Sequence, residues 1–155
     1  MSKLKRRILA IDPGKMTGMS CWEWERDKEP VLVWSAEVDE DTYAVPLRKE
    51  LTDHPDLEIV CERFVITTQT GKNAQAPYSL ELIGVLKQEL RDRGRSVSEI
   101  NFQNPNNAMK MFPNPALKKL GYWHKGGAGH ALDSIRHGLL RLANTGWKPI
   151  KLLED

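Results

Sequence analysis

Apolar runs and turn signals along the chain predict five strands. Residues 8–11 form a continuous apolar run that ends on Asp12 and a Pro-Gly turn, which is typical of a strand buried on both faces. Residues 16–24 and 31–38 are predicted to return as the second and third strands of an antiparallel meander. The fourth and fifth strands are predicted over residues 57–62 and 97–102, and the fourth also ends on a carboxylate, Glu62.

Helical periodicity and capping residues predict helices around these strands. Asp39 or Asp41 is a candidate cap for the first. The predicted helices cover residues 42–54, 77–93, 105–111, 116–120 and 130–143. The second is expected to bury one apolar face and the last another, formed respectively by Leu80, Ile83, Leu86 and Leu90, and by Leu132, Ile135, Leu139 and Leu142. This order of elements predicts a mixed sheet covered by helices.

Length and composition are typical of one globular unit. The chain has 155 residues, of which 40% are hydrophobic and 28% are charged, so we expect a single domain over residues 1–155. No apolar run approaches the ~20 residues of a membrane span, and no secretory signal is visible. The two cysteines, Cys21 and Cys61, do not have the spacing of a metal site, which favours a reduced cytoplasmic location.

The small net charge of +2 hides two regions of opposite sign. Residues 21–62 carry 13 acidic and 4 basic side chains, whereas the rest of the chain carries 8 acidic and 19 basic ones. A basic surface of this kind is suited to a polyanion such as nucleic acid. Two solvated faces of opposite sign, with no partner, are the alternative explanation.

Four polar side chains are expected to converge at one edge of the sheet. Asp12 and Glu62 end neighbouring strands if strands one and four are adjacent. His130 and Asp133 lie three residues apart and therefore on one face of the last helix. Three carboxylates and an imidazole would repel each other without a cation, and hard oxygen ligands suit Mg²⁺ or Mn²⁺. Two such ions can activate water against a phosphodiester.

Each of these residues also has a purely structural explanation. Asp12 can stabilise the turn that follows it, and Glu62 can form a salt bridge at a strand end. His130 can bond the backbone at the helix start, and Asp133 can interact with the helix dipole. His137 is interpreted as a solvated surface histidine and is not placed in the site.

At this point the chain resembles the RuvC family of Holliday-junction resolvases, within the ribonuclease H-like superfamily, and most of all its small bacteriophage members. The matching segments are residues 11–14 with 17–18, residues 60–64, residues 79–84 and residues 129–134. The resemblance implies an α/β, ribonuclease H-like fold with a five-stranded mixed sheet. The order would be 3-2-1-4-5, with strands 1, 2 and 3 antiparallel and strands 4 and 5 parallel.

The same resemblance implies a nuclease that resolves four-way DNA junctions by paired symmetric nicks. Asp12, Glu62 and Asp133 would hold Mg²⁺, with Mn²⁺ as a substitute and two ions per site. His130 takes the family's fourth catalytic position, where it would either ligate or position the attacking water. The enzyme would act as a homodimer through the helix of residues 77–93, in the cytoplasm of a bacterium or a phage-infected bacterial cell.

DNA contacts are expected from residues near these acids and from lysines that precede the last helix. Phe64 matches a position where relatives place an aromatic ring against junction bases. The other candidates are basic and polar side chains suited to phosphate contacts, namely Lys15, Arg63, Thr67, Gln69, Lys72, Lys110, Lys118, Lys119 and Lys125.

Other functions are compatible with parts of this pattern. The segment 12–18 resembles the first phosphate loop of sugar kinases and actin-like ATPases, although those enzymes need two such domains. A non-catalytic protein that binds DNA junctions and a nuclease for flaps, forks or RNA hybrids are the remaining alternatives.

Overall fold

In a computed structural model, the chain forms one five-stranded sheet with helices on both faces. The structure describes residues 4–64, 76–125 and 129–154. The strands are β1 (Arg6–Asp12), β2 (Met16–Trp24), β3 (Val31–Asp39), β4 (Glu58–Glu62) and β5 (Asn101–Gln103). The helices are α1 (Ala44–Asp53), α2 (Ala76–Asp92), α3 (Pro105–Met111), α4 (Asn114–Leu120) and α5 (His130–Asn144).

The order of the strands is β3-β2-β1-β4-β5. β1 pairs antiparallel with β2, and β2 pairs antiparallel with β3. β4 runs parallel to both β1 and β5. The predicted fold class, strand order and strand directions are therefore confirmed.

The central strand β1 supplies side chains to two hydrophobic cores. Ile8 and Ala10 pack on the face covered by α3, α4 and α5, whereas Leu9 and Ile11 pack on the face covered by α1 and α2. All four are fully buried, as expected for a strand covered on both faces. Because side chains alternate along a strand, Asp12 lies on the α5 face.

The fifth strand differs from its prediction. Residues 97–99 form a 3₁₀ turn, and β5 begins at Asn101 and has three residues. A capping box explains the turn, because the Ser96 side chain accepts from the backbone of residue 98 and the Glu99 side chain accepts from the Ser96 backbone N–H. The polar residues thus satisfy the backbone locally instead of pairing with a neighbouring strand.

The buried face of α2 also differs from its prediction. Leu82, Leu86 and Leu90 are fully buried, whereas Leu80 is 46% exposed and Ile83 is partly buried. α2 carries more apolar residues than one face holds, so the sequence left two faces possible, and contact with the sheet selects the face that contains Leu82.

The predicted cap of the first helix is wrong, because the N-cap residue of α1 is Tyr43 and no side chain caps the helix there. Asp39 caps the turn before α1, where its Oδ1 accepts from the backbone N–H groups of Asp41 and Thr42. The apolar face of α5 is buried as predicted, through Leu132, Ile135, Leu139 and Leu142. Across the described ranges, no helix is long and apolar enough to span a membrane.

Candidate metal centre

Three adjacent strands form the floor on which the N-terminus of α5 rests. Asp12 on β1 is paired in register with Gly18 on β2, and Gly18 with Glu37 on β3. A Cβ atom at Gly18 would lie 1.9 Å from the carbonyl oxygen of His130, so the absence of a side chain lets the first turn of α5 contact the sheet. Glu37 Oε1 accepts from the His130 N–H at 2.9 Å and caps the helix.

This packing places the imidazole of His130 against Asp12. The Nδ1 of His130 lies 3.1 Å from Oδ2 of Asp12. One turn along α5, Asp133 completes a group of three residues whose potential ligand atoms all lie within 4.8 Å of one another. Residues that are 121 positions apart in sequence thus meet at the predicted edge of the sheet.

Glu62 at the end of β4 joins this group through Asp12. The two carboxyl groups lie close enough for each to shift the pKa of the other. The four predicted residues, Asp12, Glu62, His130 and Asp133, are therefore brought together by the fold.

Burial and neighbouring like charges shift the pKa values of the acids. Asp12 is 5% exposed, and burial, with the adjacent carboxylate of Glu62, raises its pKa to about 8. Burial also raises the pKa of Asp133, an effect that Arg136 partly offsets. Because burial and the neighbouring Glu62 keep Asp12 protonated near neutral pH, a divalent cation bound here would displace that proton. The residues present therefore fit a hard metal ion.

His137 was interpreted from the sequence as a solvated surface residue, and the structure shows otherwise. Its side chain is 1% exposed. Its Nε2 lies 3.1 Å from Oε1 of Glu62, and its Nδ1 lies 2.9 Å from Oε1 of Gln103 on β5. Burial would raise the pKa of Glu62, but hydrogen bonds with His137 and Asp12 outweigh burial and lower it.

Arg136 holds Asp133 in a comparable way. Its NH1 donates to Oδ1 of Asp133 at 2.7 Å, and its Nε donates to the carbonyl oxygen of Phe112 at 2.8 Å. Spacing could have revealed both supporting residues on α5. Arg136 lies three residues after Asp133, and His137 lies four residues after Asp133 and seven after His130, which places them on the same side of the helix. No sequence signal indicated Gln103 or Glu37.

A cleft of about 190 Å³ opens beside the acids. Glu62, Asp133 and His137 form one wall, and Asn106 and Met109 of α3 contribute to the other.

The predicted DNA-binding residues lie in several parts of the fold, including the turn between β1 and β2, the residues after β4, and the helices α3 and α4. Lys15, Arg63, Lys110, Lys118, Lys119 and Lys125 are exposed, and Phe64 is half-buried. The Nζ of Lys15 lies 5.8 Å from the ring centre of Tyr78, and that of Lys118 lies 4.6 Å from the ring centre of Trp123. Lys119 donates to the carbonyl oxygen of Glu154. Thr67, Gln69 and Lys72 lie outside the described residues.

Comparison with known proteins finds relatives by structure and not by sequence. No protein-family model matches the chain, and no curated protein sequence matches it.

Similar solved structures include RuvC of Thermus thermophilus in complex with a Holliday junction substrate. It has a TM-score of 0.65 and 14% identity, and the match covers 91% of this chain and 96% of that one. A second structure of Thermus thermophilus RuvC gives a TM-score of 0.64 at 13% identity, with 88% and 96% covered. The Holliday junction resolvase of fowlpox virus gives 0.54 at 11% identity, with 89% and 99% covered. The chain therefore has the fold of the RuvC-type Holliday junction resolvases.

Proposed function

We propose that this protein is a metal-dependent endonuclease that resolves four-way DNA junctions by paired symmetric nicks. The observation that carries the proposal is the convergence of potential ligand atoms of Asp12, His130 and Asp133 within 4.8 Å, with the Glu62 carboxylate near enough to raise the pKa of Asp12, in a fold shared with junction resolvases. A single ribonuclease H-like domain over residues 1–155 would carry this activity.

The acidic residues are the proposed metal ligands, and two other side chains hold them in orientation. Asp12, Glu62 and Asp133 would hold Mg²⁺, or Mn²⁺ in its place, as two ions per site. When bound, such ions polarise a phosphodiester and lower the pKa of a water molecule. His137 and Arg136 hold Glu62 and Asp133 in fixed orientations, so little reorganisation is needed when DNA binds.

One ring nitrogen of His130 is hydrogen-bonded to Asp12, and among the described residues the other has no hydrogen-bond partner. Its hydrogen bond to Asp12 uses Nδ1 and raises the pKa of His130. Nε2 would then either complete the metal site or orient the attacking water in the cleft. Both roles require the ring to stay against Asp12, which the cap from Glu37 to the His130 N–H supports.

The substrate would be held by cations around the cleft. Lys15, Arg63 and Lys110, with Lys118, Lys119 and Lys125 further along, would bind backbone phosphates. Phe64 would contact the junction bases, and Thr67, Gln69 and Lys72, which lie outside the described residues, would contact the DNA. We further propose that two copies pair through α2, one for each nicked strand, in the cytoplasm of a bacterium or phage-infected cell.

The test is cleavage of a labelled four-way junction by purified protein in Mg²⁺ or Mn²⁺. We expect nicked duplexes from the wild type and none from Asp12→Asn, which removes a ligand charge with little change in volume. The variant should still bind the junction. Asp56→Asn, at an exposed turn away from the centre, is the matched control and should cut normally.

Flap and fork substrates on the same gel separate a junction resolvase from a nuclease with other branched substrates. Normal cleavage by Asp12→Asn would show that the metal centre is assigned to the wrong residues. Tight junction binding by the wild type with no nicking in either metal would instead indicate a non-catalytic binding protein.

A further inference from the structure

A second cavity, of about 400 Å³, lies between the edge strand β5 and the C-terminal half of α5. Its wall is mostly polar, and the side chains that matter here are Arg63, Asn101, Gln103, Asn107, Arg141 and Asn144. None of these was assigned to the metal centre, and no acidic residue is among those that line the described cavity.

The cavity carries an excess of positive charge. The nearest acid to Arg141 is Glu58, whose Oε1 lies 3.6 Å from NH2 of Arg141. Glu58 already accepts two shorter hydrogen bonds from Arg6, at 2.7 and 2.8 Å. One carboxylate is therefore shared by two guanidinium groups, and Arg63 adds a further cation. Within the described ranges, no ion pair involves the Arg63 side chain.

Arg141 also has a donor that the protein leaves unused. Its Nε is buried and has no hydrogen-bond partner among the described residues. A position in the last turn of α5 explains a cation, because the helix dipole favours one there, but it does not explain an unpaired donor. Because Nε is enclosed by the protein, an anion in the cavity would contact the terminal nitrogens of the guanidinium group of Arg141, whose side chain is 30% exposed.

The cavity adjoins the candidate metal centre through a short chain of contacts. Gln103 lines the cavity and contacts His137, and His137 contacts Glu62. Arg63 directly follows Glu62 in the sequence and also lines the cavity. The cavity therefore lies two side-chain contacts away from Glu62.

From these observations we infer that the cavity binds a phosphodiester group of the DNA substrate, next to the bond that is cut. Guanidinium groups bind phosphate oxygens through paired hydrogen bonds, and amide side chains donate to phosphates and to base edges. This inference rests on the proposed nuclease function, which it extends with a second contact site on the same strand. Inorganic phosphate and mononucleotides share this chemistry, and the experiment separates them from DNA.

The test compares Arg141→Gln with Arg48→Gln, both in the Asp12→Asn background so that DNA stays uncut. Arg48 is a matched control, because it also pairs with one carboxylate, that of Glu89, but lies on α1 across the sheet. Binding of a labelled four-way junction is measured by fluorescence anisotropy from 50 to 250 mM salt. Over such a range, a protein that contacts many phosphates loses on the order of 10³–10⁵-fold in affinity. Arg141→Gln should weaken binding about tenfold and reduce the salt slope by about 0.9, the value for one lost phosphate contact. Arg48→Gln should change neither quantity.

A second variant covers the case in which Arg141→Gln unfolds, as judged by its melting temperature. Asn144→Asp keeps both arginines and Glu58 in the chain but places a negative charge in the cavity, which would repel a phosphate and compete for Arg141, and it should also weaken DNA binding. Junctions with one neutral methylphosphonate linkage near the cut site then locate the contact. That linkage should weaken DNA binding by the parent protein, but it should cause no further loss of affinity in Arg141→Gln.

Unchanged affinity and salt slope in Arg141→Gln and Asn144→Asp would overturn the inference, and so would an equal loss in Arg48→Gln. A second experiment uses calorimetry to test whether the protein binds inorganic phosphate or a deoxynucleoside monophosphate. Binding of either that disappears in Arg141→Gln, with DNA binding unchanged, would show a small-anion site instead. If the parent protein has no preference for junctions, the proposed function fails, and the same variants on duplex and single-stranded DNA still decide whether the cavity binds phosphodiesters.

Discussion

The Asp12 carboxyl is buried beside other acids, and this raises its pKa to about 8 from an ordinary value of 3.8. A group whose pKa is raised by folding binds its proton more tightly in the folded state. Stability contributed by this proton is present at low pH and is lost as the pH rises towards 8. The raised pKa of His130 acts in the same direction above its ordinary value of 6.5.

We therefore expect the melting temperature of the metal-free protein to fall between pH 5 and pH 8. Asp12→Asn should reduce this fall and should be the more stable protein at pH 8, by about 1–2 kcal/mol, as is common when a strained functional group is removed. Mg²⁺ should stabilise the wild type most at the higher pH, because binding replaces the protons. Thermal melts in a chelator and in Mg²⁺ provide the measurement, and parallel pH curves for the two proteins would contradict the expectation.

His137 is a positioning residue for Glu62 in this centre. Because Glu62 has a lowered pKa and is ionised, Nε2 of His137 donates to it, and Gln103 fixes the other side of the ring. His137→Ala is expected to reduce cleavage or metal affinity by about 10–100-fold, the usual effect of losing a group that orients a ligand.

The measurement that isolates this role is the Mg²⁺ concentration that gives half-maximal cleavage. It should rise in His137→Ala and recover partly in His137→Gln, whose amide keeps a donor. Loss of thermal stability in both variants, with the Mg²⁺ midpoint unchanged, would indicate that His137 only fills space in the core.

At the level of elements, the placement of α5 on the sheet sets the geometry of the centre. Gly18 gives the backbone of His130 room on β2, Glu37 caps the helix from β3, and Asp12 bonds the imidazole from β1. Further along, the Ser20 hydroxyl donates to the Ser134 carbonyl oxygen at 2.9 Å. The helix is thus fixed at the turn that carries the functional side chains.

Gly18→Ala tests this arrangement. The added methyl group would overlap the backbone of His130, and we expect a loss of about 1–3 kcal/mol, as for other overpacked sites, together with loss of the Mg²⁺-induced rise in melting temperature. Gly84→Ala adds the same methyl group where nothing lies within 4 Å, and it should leave stability unchanged or increase it by up to about 1 kcal/mol. A Gly18→Ala protein with normal stability and normal metal response would show that the close approach is not needed.

For the whole molecule, paired nicking requires two active sites, and the exposed side of α2 is the proposed contact between two copies. Leu80 on this helix is 46% exposed, whereas Leu82 faces the core. Exposure of an apolar residue beside Gly84, where the surface is open, is compatible with close approach of a second helix.

Leu80→Arg is expected to give a monomer in sedimentation velocity and to convert paired nicks into slower, independent ones. Val45→Arg changes an exposed apolar residue on α1 and should leave the dimer intact. The dimer proposal would be wrong if the wild type were monomeric at micromolar concentration, or if Leu80→Arg still formed dimers.

The sequence by itself determined the elements whose patterns have one solution. The spacing of apolar residues predicted the run of β1, the meander that follows it and the apolar face of α5, because each spacing matches one type of element. The four residues of the candidate centre were also predicted, since Asp12 and Glu62 end predicted strands and His130 and Asp133 share a helical face. The resemblance to known resolvases supplied the strand order.

Only the tertiary structure decided the features that depend on which surfaces meet. The buried side of α2 was predicted wrongly at Leu80, because contact with the sheet selects the face that contains Leu82, Leu86 and Leu90. His137 changes from an expected surface residue to a buried one because β4 and β5 bring Glu62 and Gln103 to it. Local pattern carries no information on such long-range contacts, so the contacts of Glu37 and Gln103, and the cation-lined cavity beside the acids, could be found only in the folded chain.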